Sequence, residues 1–211
     1  RHTIPPDRIE VGTYLLAAAI TAGDVTVTNA APDDLSPLLE RLEEIGCRVD
    51  TDLGSIRVRA AAELKARDIV TAPHPGFPTD LQAQYMAVMT QAQGKATICE
   101  TVFENRFQHV AELNRLGAEI AIDGAYARVQ GPTELSGTRV MATDLRASAG
   151  LVLAAMAARG ETVIERIYHL DRGYDAMEVK LRALGAEVTR TSETAGAAES
   201  DLSTATKESA R

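Results

Sequence analysis

The segment that decides the fold is Thr79–Val102, with the sequence TDLQAQYMAVMTQAQGKATICETV. An aspartate precedes an apolar, alanine-containing run, a glycine follows that run, and β-branched residues follow the glycine. The same order occurs in residues 7–30 (DRIEVGTYLLAAAITAGDVTVTNA) and 143–167 (TDLRASAGLVLAAMAARGETVIERI). We interpret each segment as a helix, a left-handed glycine at Gly23, Gly94 or Gly160, and a strand. The chain therefore contains one unit used three times.

A second helix completes each unit. Residues 33–50, 105–122 and 171–190 have amphipathic patterns that end at Gly46, Gly117 and Gly185, and a strand is predicted after each glycine. Further strands are predicted at SIRVRA, DIVTAP, YARVQG and TRVMATD. The unit is β-α-β-α-β-β, and three copies give an α/β fold over residues 1–190. Because the first helix of each copy is apolar on nearly all sides, we expect three buried helices surrounded by sheets and amphipathic helices.

Composition and charge restrict the classes of protein. The net charge of -8 argues against a nucleic-acid partner, which requires a basic surface. Cys47 and Cys99 lack metal-ligand spacing, so we expect reduced thiols that pack in the protein. No signal peptide and no membrane span is predicted, and a cytoplasmic protein is the default expectation. Residues 191–211 are small and polar, and we predict a disordered acidic tail there.

Three aspartates open the first helix of the three copies: Asp7, Asp80 and Asp144. Aspartate is a favoured N-cap residue, so a structural role is the simplest interpretation of each. Their equivalent positions do not distinguish Asp80 from the other two.

Three arginines are more informative. The pattern places Arg106 and Arg172 in the first turn of a second helix and Arg146 in the first turn of a first helix. A helix N-terminus with a guanidinium beside it is suited to phosphate or carboxylate. Each arginine could instead pair with a neighbouring aspartate, but three equivalent positions favour an anion pocket between copies. His74 and His109 lie near these segments and are expected to be structural; no metal-ligand cluster is predicted.

Five segments carry a resemblance to a known family: PPDRIEVGT, TAPHPGFPTDLQAQ, ETVFENRF, ATDLRAS and IYHLDRGY. In order and spacing, over about residues 1–190, they resemble the UDP-N-acetylglucosamine enolpyruvyl transferases (UDP-N-acetylglucosamine 1-carboxyvinyltransferase, MurA) of the EPSP synthase superfamily. The resemblance implies two similar domains, each an inside-out α/β barrel of three β-α-β-α-β-β repeats. It also implies that this chain is the C-terminal domain and that the N-terminal domain is absent from it.

The resemblance further implies the reaction. The family transfers the enolpyruvyl group of phosphoenolpyruvate to the 3-hydroxyl of UDP-N-acetylglucosamine and releases phosphate, the first committed step of peptidoglycan synthesis. No metal or organic cofactor is implied. The proton-donor loop and most uridine contacts lie in the N-terminal domain, and neither Cys47 nor Cys99 matches the catalytic cysteine. We therefore expect the 211-residue chain alone to be inactive.

The motifs also assign residue roles by resemblance. Asp80 matches the base that also holds the sugar, and Arg172 of DRGY matches an arginine that binds phosphoenolpyruvate; we predict both to be catalytic. The remaining predicted substrate-binding residues are Val102, through its backbone, and Arg106, Asp144, Arg146 and Arg8, the last near the domain junction.

Two other classes of protein are alternatives. A degenerate, non-catalytic sugar-nucleotide-binding module would explain the missing half, although a decayed site should have lost some of these charged residues. An RNA-binding protein related to RNA-terminal-phosphate cyclases would share the repeat, but the acidic balance argues against it.

Overall fold

The computed structural model describes residue 2 and residues 4–191. Its helices are α1 (Arg8–Ile20), α2 (Ser36–Glu44), α3 (Gln82–Met89), α4 (His109–Arg115), α5 (Leu145–Ala157) and α6 (Met177–Ala183). Its strands are β1 (Asp24–Thr28), β2 (Arg48–Asp52), β3 (Ser55–Arg59), β4 (Ile69–Val70), β5 (Gly94–Cys99), β6 (Glu119–Asp123), β7 (Tyr126–Gly131), β8 (Arg139–Met141) and β9 (Val163–Glu165). Three 3-10 turns span Pro32–Leu35, Thr79–Leu81 and Ile167–Arg172.

The strands form three separate sheets among the described residues. In the first sheet β3 pairs antiparallel with both β1 and β2, so that Val58 lies opposite both Val25 and Val49. In the second sheet the order is β4-β5-β7-β6, with a parallel β4–β5 pair and antiparallel pairs elsewhere. In the third sheet β8 and β9 pair in parallel. The mixed α/β class predicted from the repeat is confirmed.

The second copy alone shows the complete predicted unit, in the order β4-α3-β5-α4-β6-β7. Within the described residues, the first copy has no strand before α1, and the third copy has no strand after α6. The strand predicted after Gly185 is therefore wrong, since residues 186–190 have no regular structure. A β-branched run forms a strand only where a neighbouring strand completes its hydrogen bonds.

The first helices of the three copies pack against one another. Helices α1, α3 and α5 are in mutual contact, and every residue of α3 is buried. This burial agrees with their apolar residues on all sides, because such a helix has no polar face to present to water. The N-terminal ends of α3 and α5 lie next to the candidate site described below.

The second helices end as the sequence predicts. Gly46, Gly117 and Gly185 follow α2, α4 and α6 with φ between 99° and 108°, a conformation that favours glycine. The prediction for the first helices is less accurate. After α1 the left-handed residue is Ala22, with φ of 54°, and not Gly23. Gly94 and Gly160 do have positive φ, but each lies beyond the residue directly after the helix cap.

The described residues fall into two compact units, with the boundary between Asp175 and Ala176. The first contains all nine strands and helices α1–α5, and the second contains α6. The prediction of one domain over residues 1–190 stays a prediction. The predicted tail at residues 191–211 lies outside the described residues except for Thr191.

Candidate active site

Asp80 differs from its two counterparts in the repeat. Asp7 and Asp144 are N-caps, and each accepts hydrogen bonds from two backbone amides of the helix that follows. Asp80 lies instead inside the 3-10 turn Thr79–Leu81, and no side chain caps α3. The expectation that Asp80 caps its helix is therefore wrong. Its carboxylate is free to interact with other parts of the chain.

Two guanidinium groups hold the Asp80 carboxylate. Arg106 Nη2 donates to Oδ1 at 2.9 Å, and Arg146 Nη2 donates to Oδ2 at 3.3 Å. The side chains of Arg106 and Arg146 are 19% and 16% exposed, whereas that of Asp80 is 37% exposed. The three side chains thus form a charged cluster of two cations and one anion, open to solvent on the side of the acid.

Aromatic rings orient both arginines. The Arg106 guanidinium carbon lies 4.9 Å from the centre of the Phe103 ring, and that of Arg146 lies 5.8 Å from the centre of the Tyr174 ring. Such cation–π contacts hold a planar guanidinium over the ring face. The Nη1 atom of Arg146 is buried without a hydrogen-bond partner among the described residues. This nitrogen is closed off from solvent, and the Tyr174 hydroxyl is the polar group that interacts with the Arg146 side chain.

A buried polar network contacts the segment that carries Asp80. Gln84 Nε2 lies 3.0 Å from the Asp80 carbonyl oxygen, 3.2 Å from Thr13 Oγ1 and 3.2 Å from Tyr174 Oη, and it shares its two N–H donors among these oxygens. Thr13 Oγ1 and Tyr174 Oη lie 2.9 Å apart. Burial raises the pKa of the Tyr174 hydroxyl, which keeps it neutral. The network joins α1, α3 and the segment after the third 3-10 turn directly beneath Asp80.

The structure corrects the placement of two arginines. Arg106 precedes α4 by three residues, and Arg172 is the last residue of the 3-10 turn Ile167–Arg172, five residues before α6. Neither lies in the first turn of a helix as the pattern predicted. Arg146 does, as the second residue of α5. The helix-terminus argument therefore holds for Arg146, while tertiary contacts place Arg106.

Arg172 is two residues before Tyr174, whose ring contacts Arg146 of this cluster. Arg172 is exposed, and its side chain forms no ion pair or hydrogen bond within the described part of the chain. The next residue, Gly173, approaches Arg146 so closely that a Cβ atom there would lie 3.4 Å from Arg146 Nη1. Arg172 is thus an unpaired cation in a segment that touches the Asp80 cluster.

The remaining predicted site residues are engaged in different ways. Asp144 accepts from the backbone amides of Arg146 and Ala147 through Oδ1. The Val102 amide donates to Glu100 Oε1 at 2.8 Å. Arg8 has partners outside the Asp80 cluster: its Nη1 lies 3.0 Å from His74 Nδ1 and 3.4 Å from the Asp34 carbonyl oxygen. His74 therefore has a partner, as expected of a structural histidine.

His109 lies beneath the site and is fully buried. Burial lowers its pKa to about 4, with Asp144 opposing and Arg106 reinforcing that shift. Its ring makes a backbone hydrogen bond at Arg106, and its Nε2 atom has no partner among the described residues. The ring is thus a neutral residue that supports the segment carrying Arg106. The expectation of a satisfied histidine is correct for only one ring nitrogen.

Glu100, which sequence reasoning missed, is a buried carboxylate at the end of β5 that contacts the segments carrying both Asp80 and Arg106. Two signals were available: Glu100 directly follows β5, and it is the first residue of the ETVFENRF motif. Both cysteines are free, as expected. The described residues contain no group of three side chains suited to a metal ion, and no helix there is long and apolar enough to cross a membrane.

Comparison with known proteins identifies the chain's relatives. The chain is 56% identical over 190 residues to a UDP-N-acetylglucosamine 1-carboxyvinyltransferase of Magnetococcus marinus, covering 90% of this chain and 45% of the relative. It is 53% identical to the enzyme of the same name from Koribacter versatilis, covering 92% of this chain and 45% of the relative. The chain therefore spans about half the length of the curated relatives it matches.

Solved structures and a family model agree with these relatives. The enolpyruvyl transferase NikO from Streptomyces tendae superimposes with a TM-score of 0.80 at 34% identity, over 88% of this chain and 44% of that protein. An EPSP synthase from Acinetobacter baumannii superimposes with a TM-score of 0.67 at 18% identity, over 90% of this chain and 44% of that protein, and shows the shared fold. The model of the EPSP synthase family matches residues 1–181. The chain belongs to the EPSP synthase (3-phosphoshikimate 1-carboxyvinyltransferase) family.

Proposed function

We propose that this chain is the C-terminal half of an enzyme that transfers the enolpyruvyl group from phosphoenolpyruvate to the 3-hydroxyl of UDP-N-acetylglucosamine. Phosphate is released, and the reaction is the first committed step of peptidoglycan synthesis. The observation that carries the proposal is the half-exposed Asp80 carboxylate between Arg106 and Arg146. The 53% and 56% identity to relatives named for this activity supports it.

Asp80 is proposed as the base that takes the proton of the sugar hydroxyl. Each carboxylate oxygen accepts one hydrogen bond in the structure and has a second acceptor direction available. A hydroxyl within about 3 Å of that direction can transfer its proton as its oxygen attacks the enol carbon. The exposed side of the cluster is where such a hydroxyl would enter.

The arginines are proposed to bind the anionic groups of phosphoenolpyruvate. Arg106 and Arg146 are positioned by Asp80. Two guanidinium groups beside one carboxylate leave a net positive charge, which favours a phosphate or carboxylate group on the exposed side of the cluster. Arg172, unpaired within the described residues, is proposed as a further catalytic cation. It would stabilise the charge on the departing phosphate.

Backbone and carboxylate groups at the margin are proposed to contact substrate. The Val102 amide is occupied by Glu100, whereas its carbonyl oxygen accepts no hydrogen bond within the described ranges. The carbonyl is therefore the backbone group we assign to the sugar nucleotide. Asp144 Oδ2 is likewise without a donor in the described part of the chain. We propose that it also contacts substrate, and that Arg8 contributes near the domain junction.

We further propose that the described fold is an inside-out α/β barrel in which α1, α3 and α5 form the interior. Residues 1–190 would form one such domain, and a similar N-terminal domain would complete the active site. The relatives are more than twice as long as the matched region. An isolated 211-residue chain would lack the other half of the site and would be inactive. A cytoplasmic location remains our prediction.

The experiment that tests this proposal measures phosphate release from phosphoenolpyruvate. It compares the full reading frame containing this sequence with the 211-residue chain, each with and without UDP-N-acetylglucosamine. We expect release only from the full-length protein, and only when the sugar nucleotide is present. If the folded full-length protein binds the sugar nucleotide but releases no phosphate, a non-catalytic binding module is the correct interpretation.

A further inference from the structure

Glu100 is a buried carboxylate whose function the proposed reaction does not explain. It follows the last residue of β5, and only 5% of its surface is exposed. Its backbone amide donates to the Ala125 carbonyl oxygen at 2.9 Å, which continues the sheet and fixes the start of the side chain. A charged group at this depth must be satisfied by several donors, because it has lost its water.

Among the described residues, four donors converge on this carboxylate, and none of them is a cation. Oε1 accepts from Thr71 Oγ1 at 2.8 Å, from the Val102 amide at 2.8 Å and from the Phe103 amide at 3.1 Å. Oε2 accepts from Thr79 Oγ1 at 2.8 Å. A carboxylate offers about four acceptor directions, so these donors use it almost completely.

The donors belong to the two segments that build the Asp80–Arg106 pair. Thr79 directly precedes Asp80, and the hydrogen bond from its hydroxyl to Glu100 Oε2 fixes the segment that carries Asp80. Val102 and Phe103 begin the short loop that reaches Arg106, and their amides are fixed by Oε1. One buried side chain thus connects the segment that presents the acid to the loop that presents its guanidinium.

Thr71 adds a second connection to the same point. Its hydroxyl donates to Glu100 Oε1 and accepts from the Thr101 amide at 2.9 Å, while its carbonyl oxygen accepts from Thr101 Oγ1 at 2.5 Å. The strand end before the Asp80 segment and the strand end before the Arg106 loop are therefore joined twice. Both connections involve residues that contact Glu100 or are adjacent to it in sequence.

We propose that Glu100 is a positioning residue that sets the distance and orientation between Asp80 and Arg106 and directs the Val102 carbonyl toward the sugar nucleotide. Glu100 itself contacts no substrate. The inference rests on the proposed function for its kinetic consequence, and on the structure alone for the geometry. A displacement of about 1 Å at reacting groups costs up to about 100-fold in rate, which sets the scale of the expected effect.

The kinetic test compares Glu100→Ala, Glu100→Gln and Glu104→Ala in the full-length protein. Alanine removes all four acceptor contacts. In the glutamine variant the oxygen can keep the Oε1 contacts, and the Thr79 hydroxyl can turn to accept from the new amide. Glu104 is an exposed acid in the same loop and is the matched control. We expect a loss in kcat/KM of about 10- to 100-fold for alanine, less than about threefold for glutamine, and none for the control.

A purely structural role predicts a different set of results. It would lower the thermal midpoint and the fraction of active protein while KM stayed constant. Positioning predicts a raised KM for the sugar nucleotide and a lowered kcat per folded site in Glu100→Ala. If the alanine variant does not fold, Thr79→Val replaces it, because it removes one donor from the same contact. We then expect Thr79→Val to lower kcat. Combining it with Glu100→Gln in a double variant should lower kcat little further.

A spectroscopic measurement separates this inference from the proposed function. NMR of the Arg106 guanidinium protons should show slow exchange in the wild type and in Glu100→Gln, and fast exchange in Glu100→Ala. This result would support the positioning role even if the full-length protein releases no phosphate. Unchanged Arg106 signals in Glu100→Ala would overturn the proposal. So would equal kinetic losses in the glutamine and alanine variants, because charge rather than geometry would then be responsible.

Discussion

Asp80 shows how far equivalent positions in a repeat can differ in role. Asp7 and Asp144 accept from amides of their own helices, whereas Asp80 accepts from arginines 26 and 66 residues away. The spacing of aspartate to apolar run is alike in the three copies, so the local pattern predicts a cap in each. Only tertiary contacts distinguish Asp80 from the other two aspartates. A sequence pattern alone does not show such contacts, and here only the resemblance set Asp80 apart, by assigning it the role of the base.

The arginines illustrate the same limit. The pattern placed Arg106, Arg146 and Arg172 near an anion site, and the structure brings Arg106 and Arg146 together at Asp80. Helix position was nevertheless the wrong reason for Arg106. It follows Asn105, whose φ is 56°, in a turn before α4. Positive φ at a residue other than glycine is sparsely populated, so local propensity does not predict it.

Replacing Arg146 by lysine tests whether the guanidinium geometry matters. Lysine keeps the charge but replaces the planar fork by a single ammonium nitrogen, so it cannot place donors at the separate positions of the guanidinium nitrogens. We expect KM for phosphoenolpyruvate to rise about 10-fold in the full-length protein. Arg159→Lys, at an exposed arginine beyond α5 that pairs with Glu134, is the control and should match the wild type. Equal KM values for Arg146→Lys and wild type would contradict the assignment.

At the scale of elements, the burial of α1, α3 and α5 follows directly from their composition. A helix without a polar face must be surrounded by protein, and the three helices contact one another. Their separation is governed by small residues that the pattern did not identify. A Cβ added at Gly150 of α5 would lie 2.9 Å from the backbone oxygen of Ala83 in α3. The two helix backbones therefore approach closely at this point.

Gly150→Ala should destabilise the protein because the backbone of α3 cannot move aside. We expect a loss of about 1–3 kcal/mol in the free energy of unfolding, measured by urea denaturation. Gly12→Ala is the matched control, since the atoms nearest to its Cβ would be side-chain methyl carbons of Leu81 and Leu38. The ends of these side chains can shift by a change of torsion angle, whereas a helix backbone cannot, so a smaller loss is expected there. A loss for Gly150→Ala no larger than that for Gly12→Ala would contradict the close backbone packing.

At the scale of the molecule, buried His109 links stability to pH. Burial lowers its pKa from 6.5 to about 4, so the folded protein keeps the ring neutral while the unfolded chain protonates it near 6.5. The stabilisation is fully present above pH 6.5 and is lost as pH falls toward 4. The loss should reach about 3 kcal/mol at most, since one pKa unit corresponds to about 1.4 kcal/mol.

Urea denaturation between pH 7.5 and 4.5 in about one-unit steps measures this linkage. The wild type should lose stability more steeply with falling pH than His109→Gln, because the variant has no ring to protonate. Carboxylates titrate in both proteins and cancel in the difference. His2→Gln, at an exposed histidine, should have the slope of the wild type. Parallel slopes for wild type and His109→Gln would contradict the effect.

The fold class of the molecule and the order of elements in its repeat could be predicted from the sequence. The incomplete third copy could not, because the run after Gly185 resembles a strand while the described structure gives it no partner. The chain also spans about 45% of the length of its curated relatives. What this chain contributes is a charged cluster of one acid and two arginines, in which Asp80 is the proposed base.

The most direct test of Asp80 as the base is single-turnover phosphate release by Asp80→Asn in the full-length protein, with Asp7→Asn as control. Asparagine preserves size but cannot take up a proton, and at position 7 it still caps a helix. We predict that Asp80→Asn lowers the rate about 10²- to 10⁴-fold, the usual contribution of a general base, while Asp7→Asn matches the wild type. A rate for Asp80→Asn within about threefold of the wild type would contradict the claim and would leave Asp80 a structural partner of Arg106 and Arg146.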